Sequence, residues 1–424
     1  MANEFNKEER VAFEQILEGF QDAEVMSRNV AKYSTDQQQM ERSGDTIWRP
    51  QPYIMNSFSG QDQSSNFNDK TQLSIPASIN IERSVPWIMT ATELRDALQE
   101  DRLGMSAKQK LASDINVSIL NTASMQGTLI VKQTAAATGF DDVALCEAIM
   151  NEQGVPSEDR VLALSTRDYN GMAGDLADRQ TMNKKPTAAY ERAYVGQIAS
   201  FDTWKLDYAK AIAAEGVGAL TMDTRDSETE NFYVPTALQG TPTTSERVNR
   251  DNRYHDIVLS ATTAVVVGDC FTIAGIYAVH HITKESTGQL KTFRVMEVTD
   301  GTHLKISPPI ISAPVTPTEA ELQYKNCETV IKASDSALVW LNTVAAKINP
   351  FWQKEAMEIL PGRYAVPEGA GAAVIRGTTD SGLELCFTKQ FDINTLKTKF
   401  RIDVRYGVVC KAPEQAGIII FSQT

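Results

Sequence analysis

The segment SAKQKLASDINVSILNTASMQ, from Ser106 to Gln126, decides the predicted architecture. Ser106 and Gln109 have the spacing of a capping box and Gly127 is a stop signal, so one helix is predicted between them. Its length would be about 30 Å at about 1.5 Å per residue. Apolar residues recur at every fourth position and form one stripe, which consists of Ala107, Leu111, Ile115, Ile119 and Ala123. The stripe indicates a structural helix that lies across other elements, and nothing in it suggests catalysis.

The bulk composition is that of a folded, acidic protein. With 424 residues the chain can bury a large core in two or three compact units. It carries 41 basic and 54 acidic residues, a formal net charge of −13. Nucleic-acid-binding surfaces need basic stripes, so this charge argues against tight DNA binding, although an acidic wall can still enclose DNA.

Cysteine usage and hydropathy indicate folding in the cytoplasm. The five cysteines are scattered without C-x-x-C spacing, which favours reduced thiols. The segment MANEFNKEER is charged, so no signal peptide is predicted. No apolar run approaches the length of a membrane span, and we expect a soluble chain.

Residues 1–33 predict an acidic amphipathic helix. Its apolar side consists of Val11, Phe13, Ile16, Leu17 and Phe20, and seven acidic residues outnumber Lys7 and Arg10. Two interpretations stay open. The segment is either a docked terminal helix with a solvated face, or an arm that binds a basic partner or an adjacent copy of the chain.

Residues 34–86 are rich in Gln, Ser and Asn and carry two β-like runs, Asp45–Trp48 and Leu73–Ile81. This pattern predicts a long two-stranded hairpin with a polar tip. A disordered insert is the alternative, but the apolar residues of the two arms favour docking.

The pattern then alternates between helix and strand as far as residue 222. Thr90 and Glu93 predict a capping box that opens a short helix, ending at Leu103-Gly104. Further helices are predicted at Asp141–Gln153 and from Tyr169, and a buried strand at Val161–Leu164. Residues 195–209 predict a sheet edge that turns into a short helix. The alternation indicates a mixed α/β unit.

From Asp223 the pattern is all-β. Asp300-Gly301, between VMEV and HLKI, is the strongest hairpin signal in the chain. A β unit of this kind inside an α/β unit predicts an inserted domain. A helix is predicted at Ser334–Lys347, an alternating strand at Phe400–Val408 and a last strand at Ile418–Phe421.

No catalytic or metal-binding constellation stands out. The sequence contains no Walker A, H-E-x-x-H or G-x-S-x-G motif. His280 and His281 are adjacent on a predicted strand, so they would point to opposite faces and could not share a metal. Four histidines without a convergent set predict neither a metal site nor an enzyme.

Six blocks carry a resemblance to a known family: GDTIWRP (44–50), KLASDINVSILNTASMQGTLIV (110–131), DNRYHDIVLSATT (251–263), DGTHLKISP (300–308), NPFW (349–352) and RYGVVCKAPEQAGI (405–418). In these blocks and in the order of its parts the chain resembles the major capsid (coat) proteins of tailed bacteriophages, which have the HK-ninety-seven (HK97) fold. The inserted β unit makes it similar to the group typified by the coat protein of phage P-twenty-two (P22).

The resemblance implies an α+β fold of the HK97 type with an inserted small all-β barrel. Its parts would be an N-terminal arm (1–45), an E-loop (46–88), a peripheral domain with the spine helix (89–128), the first part of the axial domain (129–222), the inserted barrel (223–345), a second axial and peripheral part (346–410) and a C-terminal strand (411–424).

The resemblance also implies a structural role without enzymatic activity, cofactor, metal or membrane. Copies would form hexamers and pentamers with a scaffolding protein and a portal protein in the host cytoplasm. The product would be an icosahedral procapsid, of the T=7 type in this group. DNA packaging would then expand it to the mature virion head around double-stranded DNA, bound without sequence specificity.

Three sets of site residues follow from the resemblance. Glu14 and Glu18 on the arm would receive the basic end of the scaffolding protein. The loop 239–253 would cross between capsomers through Glu246, Arg247, Arg250 and Asp251. Asp62, Asp69 and Lys70 would make contacts at the E-loop tip, and hinges for expansion are expected at the E-loop base and near Gly104.

Two rival functions are an encapsulin-like bacterial compartment shell and a cytosolic enzyme of unknown chemistry. The inserted domain and the acidic arm favour the phage protein over the first. An enzyme would need a pocket with convergent titratable groups, which the sequence does not indicate.

Overall fold

The structure is a computed structural model. It describes residues 7–23, 25–33, 46–90 (apart from 52–54, 56, 58, 63, 65–66 and 68), 92–93, 97–178, 196–222 (apart from 217), 232–240, 246–313, 317–329, 336–364, 371–379 and 381–424. The predictions for residues 34–45 lie outside this range. The helices of the described residues are α1 (Lys7–Ala23), α2 (Ala97–Gln126), α3 (Phe140–Glu152), α4 (Thr166–Asp178) and α5 (Glu319–Tyr324).

The strands of the described residues, in chain order, are β1 (Ala31–Lys32), β2 (Thr46–Pro50), β3 (Ser74–Ser78), β4 (Ile81–Thr90), β5 (Leu129–Lys132), β6 (Arg160–Ser165), β7 (Gln197–Ile198), β8 (Phe201–Leu206), β9 (Ala211–Ile212), β10 (Leu238–Gly240), β11 (Arg247–Asn249), β12 (His255–Val258), β13 (Cys270–Val279), β14 (Ser286–Val298), β15 (His303–Ser307), β16 (Cys327–Thr329), β17 (Leu338–Trp340), β18 (Ala346–Lys347), β19 (Asn349–Gln353), β20 (Met357–Pro361), β21 (Ala373–Thr378), β22 (Glu384–Asp392), β23 (Lys397–Cys410) and β24 (Ala416–Ile420). The mixed α+β class is as predicted.

The chain divides into two compact units. The first comprises Met1–Ile47, Ala77–Asn121 and Met357–Val409, and the second comprises Trp48–Pro76, Thr122–Ala356 and Cys410–Thr424. The seven predicted segments follow other boundaries and remain predictions.

The first unit is built on a six-stranded sheet in the order β1-β20-β23-β22-β21, with β4 also paired to β23. On β23 the side chains of Phe400, Ile402, Val404 and Tyr406 are buried, as the alternation predicted. Asp403, predicted on the opposite face, is also buried, and beyond Tyr406 the alternation ends, since Gly407 is buried and Val408 is half-buried.

Helix α1 packs on this sheet through the apolar side that the sequence predicted, except that Val11 near its start is exposed. Phe13, Ile16 and Phe20 are buried, and the ring of Phe13 stacks on Phe387 with centroids 6.0 Å apart. The helix is shorter than predicted, because it ends at Ala23 and is followed by a 3-10 turn and by β1.

Helix α2 corrects the predicted start of the spine helix. One unbroken helix begins at Ala97, so Ser106 lies inside it instead of capping it, and the helix does not stop at Gly104. Gly104 is a contact site, because a Cβ there would lie 2.7 Å from Ile16 Cδ1 of α1. The capping box of Thr90 and Glu93 is present, with Thr90 N donating to Glu93 Oε2 over 2.8 Å. The apolar stripe is buried as predicted.

The second unit contains a mixed sheet in the order β5-β24-β19-β6-β8-β7. β24 runs parallel to β5, β8 runs parallel to β6, and β19 is antiparallel to both of its neighbours. Buried residues of α3 and α4 pack against it, including Val143, Cys146 and Met172. The last strand is confirmed, but the short helix expected after Phe201 is wrong because this segment continues as β8.

The same unit holds a second six-stranded sheet, the inserted sheet, in the order β12-β15-β14-β13-β16 with β17 on β13. β14 and β15 pair antiparallel on either side of Asp300-Gly301, which confirms the hairpin. The helix predicted at Ser334–Lys347 is wrong, since the described part forms β17 and β18. Pairing of Leu338 with Ile273 places this segment in the sheet instead.

The two arms of the predicted long hairpin, β2 and β3, form a two-stranded sheet. β10 and β11 form a second ribbon, with Gly240 opposite Arg247. All five cysteines are buried and free. None of the helices in the described ranges is long and apolar enough to cross a membrane.

Candidate interaction surfaces

The arm residues Glu14 and Glu18 lie on the exposed side of α1, one turn apart. The opposite side is fixed to the sheet, where Leu17 Cδ2 lies 2.8 Å from the position a Cβ would take at Gly377. Because the apolar side is anchored, both carboxylates face away from the sheet. They form an acidic surface of two neighbouring charges.

The four residues predicted to cross between capsomers fall into two pairs. Glu246 and Arg247 are exposed at the start of β11. Arg250 lies at the base of the ribbon, with its guanidinium carbon 4.6 Å from the centre of the Tyr233 ring. Asp251 also lies at the base and binds Arg253, with Arg253 Nη2 2.7 Å from Asp251 Oδ2.

Arg253 holds this base to the end of β23. Its side chain is 7% exposed, and its Nη1 donates to the carbonyl of Cys410 over 2.9 Å. Arg250 and Asp251 are therefore engaged within the chain, and Glu246 and Arg247 are exposed. The resemblance grouped all four residues, because a sequence does not show which partners the fold supplies.

The three residues predicted at the E-loop tip also lie in different environments. Asp62 and Asp69 are exposed. Asp62 accepts a hydrogen bond from the backbone N–H of Ser64 over 3.0 Å, and this contact lowers the pKa of its carboxyl group. Lys70 instead lies 3.4 Å from Glu319 of α5, in the same chain.

The E-loop base around Lys70 is docked, as the sequence favoured, but its partner α5 was not predicted. Thr71 N donates to Gln323 Oε1 over 3.3 Å, and Tyr324 OH donates to Thr71 O over 3.0 Å. Leu73 is buried with Tyr233, Ile311 and Tyr324. The signal that could have revealed α5 is the capping box of Thr318 and Glu321, in which Thr318 N donates to Glu321 Oε2 over 2.7 Å.

A second feature that the sequence did not reveal is a buried polar cluster around Glu414. Lys291 Nζ of β14 lies 2.5 Å from Glu414 Oε1, and Asn326 Nδ2 donates to the same oxygen over 2.9 Å. His281 Nε2 lies 3.5 Å from Glu414 Oε2. These contacts join the inserted sheet to the 3-10 turn Pro413–Gln415 before β24.

The charges of this cluster are perturbed by its burial. Burial acts to raise the pKa of Glu414, but Lys291 and His281 more than offset this, so the pKa lies below its ordinary value. Burial lowers the pKa of His281 to about 4. His281 follows the end of β13 in a turn, so the strand expected to carry both histidines ends before them. Among the described residues, no three His, Cys, Asp or Glu side chains are placed to hold a metal ion.

A comparison with known families decides the assignment. The chain matches the family described as P22 coat protein, gene protein 5, over residues 1–422. This chain belongs to the P22 coat protein family. It is a structural capsid protein of a bacteriophage, a subunit of shells built from many copies, and its place is in the virion.

Three solved structures are similar to this member of the P22 coat protein family. The CUS-3 coat protein I-domain is 32% identical over 29% of this chain and 95% of that chain, with a TM-score of 0.22. The capsid structure of the cyanophage P-SCSP1u is 10% identical over 93% and 86% of the two chains, with a TM-score of 0.43. The mature capsid of bacteriophage PhiM1 is 7% identical over 94% and 87%, with a TM-score of 0.42.

Proposed function

We propose that this capsid protein assembles with a scaffolding protein and a portal protein into an icosahedral procapsid, which expands when DNA is packaged. The observation that carries the proposal is helix α1, whose apolar side is anchored while Glu14 and Glu18 remain exposed. The acidic net charge of the chain makes a basic segment of the scaffolding protein the matching partner.

An exposed charged contact suits a partner that must later leave. Such contacts contribute about 0–1 kcal/mol each, and salt screens them beyond about 8 Å at physiological ionic strength. One subunit would therefore hold the scaffold weakly, and the repetition of the contact over the shell would supply the avidity. Expansion would then release the scaffold without breaking any strong bond.

Charge reversal on the arm tests this proposal. The Glu14→Lys and Glu18→Lys variants are expected to build shells with several-fold less scaffold, because each puts a positive charge opposite a basic partner. The matched control is Glu158→Lys, the same change at an exposed position of the second unit. Scaffold content is measured on purified procapsids by gel densitometry, at low and at high salt.

Shells with normal scaffold content in both arm variants would contradict the scaffold role of α1. Equal losses in the arm variants and in Glu158→Lys would show a general charge effect instead. Closed, uniform shells formed without any scaffolding protein would favour an encapsulin-like container.

We propose further that Glu246 and Arg247 make the contact between capsomers, and that Asp62 and Asp69 make the E-loop contact with a neighbouring subunit. The support for this proposal is that all four residues are exposed to solvent. Arg250, Asp251 and Lys70 would fix the bases of the same two segments through their contacts with Tyr233, Arg253 and Glu319. We do not propose a hinge near Gly104, because α2 is unbroken at this position.

A further inference from the structure

A cavity of about 300 Å³ lies in the second unit, beside the polar cluster around Glu414. Part of its wall is apolar and consists of Leu73, Pro309, Ile311, Tyr324 and Pro413. A cavity of about 150 Å³ can already hold benzene, so a substituted ring fits here. Leu73 comes from the E-loop base, Pro309 and Ile311 from the segment after β15, Tyr324 from α5 and Pro413 from the turn before β24.

In the polar part of the wall, His281 Nε2 and Glu414 Oε2 face each other beyond normal hydrogen-bond distance. Glu414 Oε1 is engaged by Lys291 and Asn326 at 2.5 and 2.9 Å. Glu414 Oε2 faces His281 Nε2 at 3.5 Å, and this nitrogen is buried without a hydrogen-bond partner. A buried polar atom without a partner is destabilising, so a group that bridges the two atoms would bind favourably.

The amide side chains of Asn252 and Asn326 in this wall are already engaged. Asn252 Oδ1 accepts from Tyr233 OH over 2.9 Å, and its Nδ2 donates to Thr236 O over 3.0 Å. Asn326 Oδ1 accepts from Ile311 N over 3.1 Å, and its Nδ2 donates to Pro309 O over 2.9 Å. These groups shape the cavity, and the bridging contact falls to His281 and Glu414.

The surrounding charges favour a neutral group at this position. Two cationic residues line the cavity, and both have acidic neighbours: Arg253 pairs with Asp251 at 2.7 Å, and Lys411 Nζ lies 3.9 Å from Glu355 Oε2. An anion would face the ionised Glu414 carboxylate at hydrogen-bond distance. A cation would compete with Lys291 and would also face Lys284, whose Nζ donates to the carbonyl of Lys325 over 3.0 Å. A hydroxyl group avoids both conflicts, since it can donate to Oε2 and accept from an Nε2–H.

We propose that this cavity is a binding site for a small neutral molecule with a flat apolar body and one hydroxyl group, of the phenol type. The body occupies the apolar wall, and the hydroxyl group bridges Glu414 Oε2 and His281 Nε2. The proposal does not depend on the scaffold or on the shell contacts proposed above.

Four probes of one shape test the site on the purified full-length protein: p-cresol, toluene, p-toluate and 4-methylbenzylamine. Dissociation constants are measured by ligand-observed NMR titration. We expect p-cresol to bind about tenfold more tightly than toluene because of the hydrogen bond to a charged acceptor. The anion and the cation are expected to bind no more tightly than toluene.

The His281→Phe variant separates the bridge from the apolar wall. We expect it to reduce the preference for p-cresol over toluene to about twofold or less while toluene still binds, and toluene binding shows that the cavity is intact. The control is His303→Phe, which changes an exposed histidine of the β14–β15 hairpin and should keep the full preference.

Three outcomes would overturn the proposal. Equal binding of p-cresol and toluene to the unchanged protein would show that the polar pair does not select a hydroxyl group. Tighter binding of p-toluate or 4-methylbenzylamine would show a charged ligand instead. Absence of binding by all four probes would show a cavity that holds water only.

Discussion

At Gly417 the chain has room for a hydrogen atom only. A Cβ at this position would lie 2.3 Å from Leu129 O and 2.5 Å from Phe351 Cζ. These neighbours belong to β5 and β19, the two strands that flank β24. Both strands are hydrogen-bonded to β24, so neither can shift away from it without breaking that pairing. A single residue thus sets how closely three strands approach each other.

The Gly417→Ala variant is therefore expected to lose about 3 kcal/mol or more in the free energy of unfolding, since overpacking a dense core forces backbone shifts. The matched control is Gly174→Ala in α4, where a Cβ would meet nothing within 4 Å. That change should stabilise the protein by about 0.5–1 kcal/mol because alanine favours a helix. Urea unfolding midpoints check both, and equal midpoints would contradict this packing.

The pKa of His281 makes stability depend on pH. The folded protein holds this pKa at about 4, against an ordinary value of 6.5. Between pH 6.5 and pH 4 the imidazole of His281 is protonated in the unfolded chain but stays neutral in the folded chain. The free energy of unfolding therefore decreases as the pH falls towards 4. The loss is on the order of 3 kcal/mol at about 1.4 kcal/mol per pKa unit.

His281→Phe should remove this part of the pH dependence. Urea unfolding of the variant and of the unchanged protein is compared between pH 7 and pH 4. The lowered pKa of Glu414 acts in the same direction at lower pH, and the contribution of Lys291 to it remains in the variant. Parallel stability curves for the two proteins over the whole window would refute the assignment to His281.

At the scale of elements, the periodicity of the spine helix predicted its buried side correctly, but the local start and stop signals predicted the wrong first residue. The stripe from Ala107 to Ala123 is buried along one side of α2, as predicted. Ser106 and Gly104 are start and stop signals by residue type, but both lie inside the helix. The contact of Gly104 with Ile16 overrides the local signal, because a side chain there would push α1 away.

The position of Ser106 predicts the sign of a stability change. Because Ser106 is exposed within α2, Ser106→Ala should leave the stability unchanged or raise it by up to about 0.5 kcal/mol. Loss of a true N-cap would instead cost about 1 kcal/mol. Thermal unfolding of the variant distinguishes the two, and Ser118→Ala, which removes a contact of 2.8 Å to Tyr406 OH, serves as a destabilised reference.

At the scale of the molecule, Glu414 joins parts of the second unit that are far apart in sequence. Lys291 comes from the inserted sheet, and Gln153, which accepts from Lys291 Nζ over 3.4 Å, follows α3. Further contacts lie nearby, where Arg294 Nη1 donates to Gly127 O over 3.2 Å. The inserted sheet is thus held by buried polar groups as well as by packing.

A double-mutant cycle measures the coupling energy between Lys291 and Glu414. Lys291→Met leaves the Glu414 carboxylate, whose side chain is 19% exposed, without its main partner and should cost about 1–3 kcal/mol. Lys291→Met combined with Glu414→Gln removes both charges and should recover most of that loss. The free energy of unfolding is measured for both single variants and the double variant, and additive losses would mean that the pair is not coupled.

Much of the fold could be predicted from local pattern. The amphipathic side of α1, the stripe of α2, the hairpin at Asp300-Gly301 and the alternation along β23 all follow from periodicities of about 3.6 or 2 residues. The exposure of Glu14 and Glu18 follows as well, because the opposite side of the same helix is apolar. In these cases the information lies within a few residues of the element itself.

The tertiary structure alone decided where α2 begins, why 338–340 is a strand, and which charged residues are engaged within the chain. Lys70 meets Glu319, and Lys291 meets Glu414, across more than 100 positions of sequence. Such partners leave no periodic trace, because a charged residue looks the same in sequence whether it faces solvent or a buried partner. Which surfaces remain open to other subunits therefore depends on the fold that brings distant residues together.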